Sequence, residues 1–583
     1  MSALEQTLAL KRQKLAKLLR QREGLAGRLL NRIRPRGATE PPVLSYAQQR
    51  LWFLNKLTPD SPFYNIPSAT RIRGQLDEAI LRRAFSEIVR RHEVLRTVFG
   101  ETDGKPFQVI LPPFDLDLKA QDLGGLPPAQ REEELMRLAT EDAIAPFDLT
   151  RGPIIRTGLV RLDDEEQVLL VNIHHIAADG WSIDVFNQEF AAIYSAFSRG
   201  IPSPLPELPI QYADFAVWQR KQIEGLAAAD QLDYWTRQLA NLPTLEIPTD
   251  FPRKQVQSFD GQTIWIDFPP DFTEQLHEWS RRNEVTLFVT LLAGLNALLH
   301  RYTGQDEIVI GEPVANRNRL EVEPLIGFFV NSLVLRTDVS DDPSFLELVR
   351  RCRKLVLEAD ANQDVPFEVI VEKLRPERGL GRNPLFQVSL QLFTGAIAST
   401  RQTRADASNE IFVEKGTASL DLAFDLCEGA RGLLVRAEFS TDLFQAETVR
   451  QMVSHWQNIL LAGIEHPDLR ISKTPMLSAA EIESLLPVRG QWSVEDHDPQ
   501  LVSAMFERVA GRYPDRVAVE ADGRTTSYSE LDALASRLRS LPTAVSRSDS
   551  GTPVCQKFCA TSCAESLATR TMPLARVRRI WLT

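Results

Sequence analysis

Long apolar runs are missing from this chain. The best of them, Leu287 to Leu299, falls short of the roughly 20 residues a membrane span needs, and it contains Asn296. The first residues are charged throughout rather than charged and then apolar, so no secretory signal peptide is expected. Cysteine is scarce, with five in 583 residues, which gives no disulfide framework and fits a reducing cytoplasm. Three of them, Cys555, Cys559 and Cys563, recur at every fourth position. No fourth cysteine lies near and no histidine follows His497, so no metal site is expected. Excess positive charge is lacking as well. The net charge of −11 argues against a general nucleic-acid binder. What remains is an apolar fraction of 43% and a charged fraction of 25%, those of ordinary soluble protein, in a length that suggests two to four packed units.

The charge is uneven. Residues 1–36 carry ten basic residues against Glu5 and Glu23, a net +8, which leaves −19 for the remainder. Leucines from Leu8 to Leu30 recur at roughly helical spacing there, so residues 1–40 read as a basic amphipathic leader. Such a leader either packs one face on the body or docks an acidic partner protein. Arg34 to Pro42 is rich in chain breakers, and globular pattern starts near Val43. Helices are expected over Asp77–Arg91, Asp184–Phe197 (capped by Ser182), Thr286–Tyr302 and Ser344–Ala361. Strands are expected at Ile308–Ile310, Val330–Thr337 and Phe386–Phe393, with a proline-rich crossover between two lobes at 201–209.

The most informative stretch is Val168-Leu-Leu-Val-Asn-Ile-His-His-Ile-Ala-Ala-Asp-Gly-Trp-Ser182. A buried strand delivers two adjacent histidines to a loop with Asp179 and Gly180. Side chains alternate across a strand, so His174 and His175 should face opposite ways. One is then free to hold the fold and the other to exchange protons near neutral pH.

Several separated segments agree, in order, with one known family. Ser45-Tyr-Ala-Gln-Gln-Arg-Leu-Trp-Phe-Leu54, Arg91-His-Glu-Val-Leu-Arg-Thr-Val-Phe99, His174-His-Ile-Ala-Ala-Asp-Gly180 and Tyr212-Ala-Asp-Phe-Ala-Val-Trp218 are four of them. Ile326-Gly-Phe-Phe-Val-Asn-Ser332, Asn362-Gln-Asp-Val-Pro-Phe-Glu368 and Arg382-Asn-Pro-Leu-Phe386 complete the set. Over roughly residues 43–475 the chain resembles the condensation domain of nonribosomal peptide synthetases, with its HHxxxDG signature. Further on, Phe506 to Arg539, including Thr526-Ser-Tyr-Ser-Glu-Leu531, resembles the start of an adenylation domain. The Gly-rich, Lys-bearing phosphate loop of such a domain is absent, so no ATP-dependent activation is expected.

The resemblance implies an α/β fold of two chloramphenicol-acetyltransferase-like lobes in a V, with a channel that admits a phosphopantetheine arm from each side. It implies amide formation between a donor aminoacyl or peptidyl thioester and an acceptor aminoacyl thioester, both held on carrier proteins, with no cofactor bound by the domain itself. The wording of the motifs looks most like the type that joins an L-donor to an L-acceptor. His175 matches the catalytic second histidine, and His174 is assigned to the fold. Asp179 either orients the imidazole or, as the resemblance implies, pairs with an arginine, for which Arg317 is the candidate beside Arg319. Gly180 reads either as a turn glycine or as a backbone donor to an oxyanion. Trp181, Ser182, Trp218 and Asn331 are expected along the channel, although the aromatics, with Trp52 and Tyr212, serve packing first. Arg91, His92 and Arg96 read as solvated or ion-paired.

The expected layout is therefore a leader (1–40), an N-lobe (41–205), a C-lobe (206–475), a linker (476–500), an adenylation-like start that breaks off (501–540) and an aberrant or disordered tail (541–583). Rival readings are a free-standing acyltransferase that uses acyl-coenzyme A, an epimerising relative, and an inactive remnant that only docks carrier proteins. A heterocyclising relative would carry aspartates in place of the two histidines.

Overall fold

The computed structural model describes residues 32–37, 40–376, 381–393, 410–429, 432–485, 502–521 and 524–539. The leader before residue 32, the linker over 486–500 and the tail with its three cysteines lie outside the described residues. Two compact units divide at residues 483 and 484.

The first unit opens with α1 (Tyr46–Leu57), β1 (Asn65–Arg73), α2 (Glu78–Arg91) and the hairpin β2 (Thr97–Thr102) and β3 (Lys105–Ile110). It continues through β4 (Leu118–Asp122), α3 (Pro128–Ile144), β5 (Ile155–Arg161), β6 (Glu166–His174) and α4 (Gly180–Ser198). After the proline-rich stretch come α5 (Tyr212–Ile223), α6 (Leu226–Gln238), β7 (Gly261–Phe268), α7 (Pro270–Arg282), α8 (Leu287–Thr303), β8 (Glu307–Val314) and β9 (Asn331–Asp338). The remainder is α9 (Phe345–Ala361), α10 (Phe367–Leu374), β10 (Val388–Phe393), β11 (Glu410–Ile411), β12 (Leu422–Gly429), β13 (Gly432–Ser440), α11 (Ala446–Glu465) and α12 (Ala479–Leu485).

Two mixed sheets define two lobes. The first runs β11-β1-β6-β5-β4 and the second β7-β13-β12-β10-β8-β9. Strand β6 is the spine of the first, antiparallel to β1 (Ala69 opposite Leu170) and to β5 (Leu159 opposite Leu169). Its apolar run serves both faces. Val168 and Leu170 join the cluster under α3, whereas Leu169, Val171 and Ile173 join the larger core beneath α2 and α4.

The second lobe is built around α8, whose side chains are buried on nearly every side. Thr286 caps it by accepting from the Val289 N–H, as Ser344 caps α9 by accepting from Glu347. Gly294 lets α11 approach closely, since a Cβ there would stand 2.5 Å from Leu460 Cδ2. No single helix among the described residues is long and apolar enough to cross a membrane.

The two lobes do not change over where the prolines suggest. Helix α5 lies past residue 206, yet Tyr212 and Phe215 pack into the core of the first lobe, together with Val322 to Phe329. Strand β11 also returns late in the chain to pair with β1, Ala69 opposite Ile411. Apolar surface, not chain order, decides which lobe each segment joins. The second unit holds a helix (Val502–Arg512), a two-stranded hairpin (Val517–Ala521 with Arg524–Ser527) and a helix (Tyr528–Arg539).

Candidate active site

The alternation of β6 carries through to its end. His174, the last strand residue, is buried between the rings of Tyr64 and Phe147, and its Nδ1 accepts from the Ile176 N–H at 3.1 Å. Burial, then the charges of His175, Arg156 and Lys415, bring it down to about 3, so it stays neutral. His175 turns the other way. Its backbone N–H donates to the Tyr64 carbonyl at 2.7 Å, and its ring lies on the wall of a cavity of about 2550 Å³ lined by residues of both lobes. The ring meets Phe328 edge to face at 5.0 Å, and its Nδ1 is enclosed with no hydrogen-bond partner among the described residues. Burial and then the Lys415 charge hold this imidazole well below the usual histidine range, against the opposing pull of Asp179.

Asp179 does not orient that imidazole. Its Oδ1 accepts from the Ser182 N–H (2.8 Å), the Ser182 hydroxyl (2.7 Å) and Arg317 Nη2 (3.0 Å), and its Oδ2 accepts from the Phe329 N–H (2.9 Å). Both partners of the Asp179–Arg317 ion pair are buried. Arg317 also donates through Nη1 to the carbonyls of Val322 and Leu325, both at 2.7 Å, and lies 4.2 Å over the Phe329 ring. This cluster clamps residues 322–329 beside His175. The same segment is tied from behind: Ser45 Oγ meets Tyr212 Oη at 2.8 Å, and Tyr212 donates to the Phe328 carbonyl at 2.6 Å. Gly327 is required there, because a Cβ would stand 2.0 Å from Tyr212 Cδ2.

Helix α4 starts one turn earlier than the sequence suggests, with Asp179 as its cap instead of Ser182. A carboxylate accepts the Ser182 N–H and faces the positive helix end, which outweighs the poor propensity of Gly180 in the first turn. Gly180 therefore becomes the first helical residue and lines the cavity. Its N–H has no acceptor inside the helix.

Of the four residues expected along the channel, Trp181 lines the cavity and its Nε1 donates to the Glu323 carbonyl at 3.1 Å. Ser182, Trp218 and Asn331 do not line it. Ser182 is fully buried, with its one hydroxyl proton shared between Asp179 and the Gly327 carbonyl and its oxygen accepting from Arg317 Nη2 and the Gly327 N–H. Trp218 stacks near Phe215 under the Arg319 guanidinium. Asn331 donates to the carbonyls of Gln363 and Val365 and accepts from the amides of Ser332 and Phe367, so its bonding capacity is spent on the scaffold. Arg91 and His92 converge on Glu189 at 2.8 Å each, a buried network under α2 and α4. Arg96 donates to the Leu111 carbonyl.

One residue at the cavity gave no sequence signal. Lys415 lines the cavity wall, and its Nζ donates to the carbonyls of Phe63 (3.2 Å) and Asn65 (2.8 Å). Burial, helped by Arg436 and opposed by Glu438 and Glu414, brings it down to about 8. Its charge contributes to keeping His175 neutral. Lys415→Met should therefore raise the His175 pKa while leaving it below the ordinary value of 6.5, because burial is the larger cause. NMR titration of the histidine ring checks this; an unmoved pKa would remove Lys415 from the electrostatics of the site.

This two-lobed mixed α/β fold, with a histidine on the wall of a shared cavity, defines a class. The family model described as the Condensation domain matches residues 40–486, so the chain belongs to the condensation-domain family of nonribosomal peptide synthetases. It is 44% identical over 497 residues to one of the linear gramicidin synthase proteins of Brevibacillus parabrevis, covering 85% of this chain and 10% of that protein. It is 36% identical over 499 residues to phosphinothricin tripeptide synthetase PhsC of Streptomyces viridochromogenes, covering 85% of this chain and 46% of the relative. The chain thus spans about a tenth of the length of several of these large relatives. Among solved structures, the X-domain from teicoplanin biosynthesis is similar at a TM-score of 0.69 and 29% identity, over 76% of this chain and all of that one.

Proposed function

We propose that this chain joins two carrier-bound substrates, forming an amide between a donor aminoacyl or peptidyl thioester and the amine of an acceptor aminoacyl thioester, in the L-to-L sense. The observation that carries this reading is His175, a neutral imidazole on the wall of a cavity that both lobes line. The acceptor nitrogen attacks the donor carbonyl carbon, the new C–N bond forms, the C–S bond breaks, and the departing thiolate ends with the proton the amine has lost. A thioester is already activated, so alignment of two tethered groups supplies much of the barrier reduction. With its pKa this low, His175 is a weak base. It acts by accepting the amine N–H in a fixed direction and by relieving the ammonium that develops on attack. Gly180, at the first turn of α4, offers its N–H, which has no acceptor inside the helix, to the carbonyl oxygen as charge builds there. Asp179 and Arg317 serve as positioning residues that hold the 322–329 segment against the imidazole.

Both substrates would arrive on phosphopantetheine arms of partner carrier proteins, and the group is theirs, not this chain's. Residues 502–539 read as the opening of an adenylation-type segment, with Thr526-Ser-Tyr-Ser-Glu-Leu531 at its strand-to-helix turn. The test is reconstitution with one carrier protein loaded with a donor and another with an acceptor, followed by mass measurement of both. Transfer of the donor onto the acceptor carrier is expected. Binding without transfer would favour a docking role alone, and equal turnover of a soluble coenzyme A donor would favour a free-standing acyltransferase.

A further inference from the structure

Carboxyl groups on the cavity wall with limited exposure are paired almost without exception. Asp179 meets Arg317, Glu368 meets Arg50 at 3.4 Å, Glu428 meets His277 at 2.9 Å, and Arg436 bridges Asp425 and Glu438 at 2.6 and 2.7 Å. Glu312 is the exception. It lines the cavity from β8, its Oε2 is fully enclosed, and among the described residues that atom has no hydrogen-bond partner. The second acid beside it, Asp360 near the end of α9, lines the same cavity and has no basic side chain within ion-pair distance among the described residues. Asp360 repels charge on Glu312, and this adds to burial, which pushes Glu312 up to about 8. Burial raises Asp360 as well.

Leaving a buried polar atom unpaired costs about 1–3 kcal/mol, and more for a charge. A water, an ion or a ligand from outside the chain can complete such a group. A metal ion does not suit the site, since no group of three or more His, Cys, Asp or Glu among the described residues could hold one. Strand register gives the reach. Glu312 stands opposite Leu333 on β9, five residues beyond Phe328, whose ring meets His175. Five extended residues span at most about 18 Å, and Glu312 and His175 line the same cavity. The acceptor's α-amine is needed at His175, and every aminoacyl donor carries the same α-amine, so a preference among substrates at Glu312 must come from the side chain.

We propose that Glu312 and Asp360 form a subsite for the cationic side chain of an aminoacyl substrate, a lysine-, ornithine- or arginine-like group on either the donor or the acceptor. This deepens the condensation reading and rests on it. The ammonium or guanidinium supplies the positive partner that the two acids lack and neutralises the repulsion between them. Glu312 gives up its proton as the cation enters.

The test uses the full chain with loaded carrier proteins in three pairings: leucyl donor with leucyl acceptor, lysyl donor with leucyl acceptor, and leucyl donor with lysyl acceptor. The wild-type protein should favour lysine over leucine at one of the two positions, and the pairing that gains identifies which. Glu312→Gln should reduce that lysine-to-leucine ratio by about tenfold or more, and Asp360→Asn, on the more exposed acid, by a smaller factor. A ratio near unity at both positions, or one unchanged in a Glu312→Gln protein of normal melting temperature, would overturn the subsite and leave the condensation reading standing. No product from any pairing overturns both.

Discussion

His175→Ala should lower the rate of amide formation between loaded carriers by about 10²–10⁴-fold, the usual contribution of a positioned proton-transfer group. Its fold should survive. The backbone bond of His175 to a distant segment, from its N–H to the Tyr64 carbonyl, is kept by alanine. The ring's Nδ1 makes no hydrogen bond among the described residues, and its neighbour Phe328 is held independently by Tyr212 and by the Arg317 cluster. Activity lost with an unchanged melting temperature therefore separates chemistry from stability. A variant that condenses at the wild-type rate would take the imidazole out of the mechanism. His174→Ala should show the opposite profile, with the melt affected first, since that ring is enclosed by Tyr64 and Phe147.

Asp179→Ala should cost about 3–5 kcal/mol of stability, the penalty for stranding one member of a buried ion pair. Four donors converge on this carboxylate: the Ser182 and Phe329 amides, the Ser182 hydroxyl and Arg317 Nη2. Alanine strands the Ser182 and Phe329 amides, leaves the Arg317 charge without its counter-ion and removes the cap of α4, while the Ser182 hydroxyl keeps the Gly327 carbonyl. Denaturant unfolding of Asp179→Ala, Arg317→Met and the double variant checks the origin of the loss. The double variant should be less destabilised than the sum of the single ones, because the second change removes the charge that the first leaves unpaired. Simple additivity would mean that the pair is not coupled.

The local signals in the sequence were good guides where structure is local. The helices expected to begin at Asp77, Thr286 and Ser344 begin one residue later, at Glu78, Leu287 and Phe345, and each expected first residue is the cap. The alternation of β6 separates His174 from His175 by face, and the ion pair implied by the family resemblance is present between Asp179 and Arg317. Other features depend on partners far away in the chain. Ser182 has the chemistry of a cap, but Asp179 lies three residues ahead of it and wins the helix end. Asn331 and Trp218 belong to recognisable motifs, but a motif does not say whether a side chain faces a cavity or its scaffold. Lys415 sits among ordinary polar residues and Glu312 between a glycine and a proline in an apolar strand. Only the fold, which brings carbonyls 350 residues away to one and leaves the other's Oε2 without a hydrogen-bond partner among the described residues, distinguishes them.

The late arrival of β11 has a consequence for how the polypeptide matures on the ribosome. Translation proceeds at about 5–20 residues per second, so the edge of β1 waits tens of seconds for the strand near Ile411 and for the Lys415 ammonium that binds the Phe63 and Asn65 carbonyls. Until then the nascent first lobe presents an open sheet edge, the kind of surface on which unwanted strand addition begins. Its completion is deferred until most of the other lobe has been synthesised.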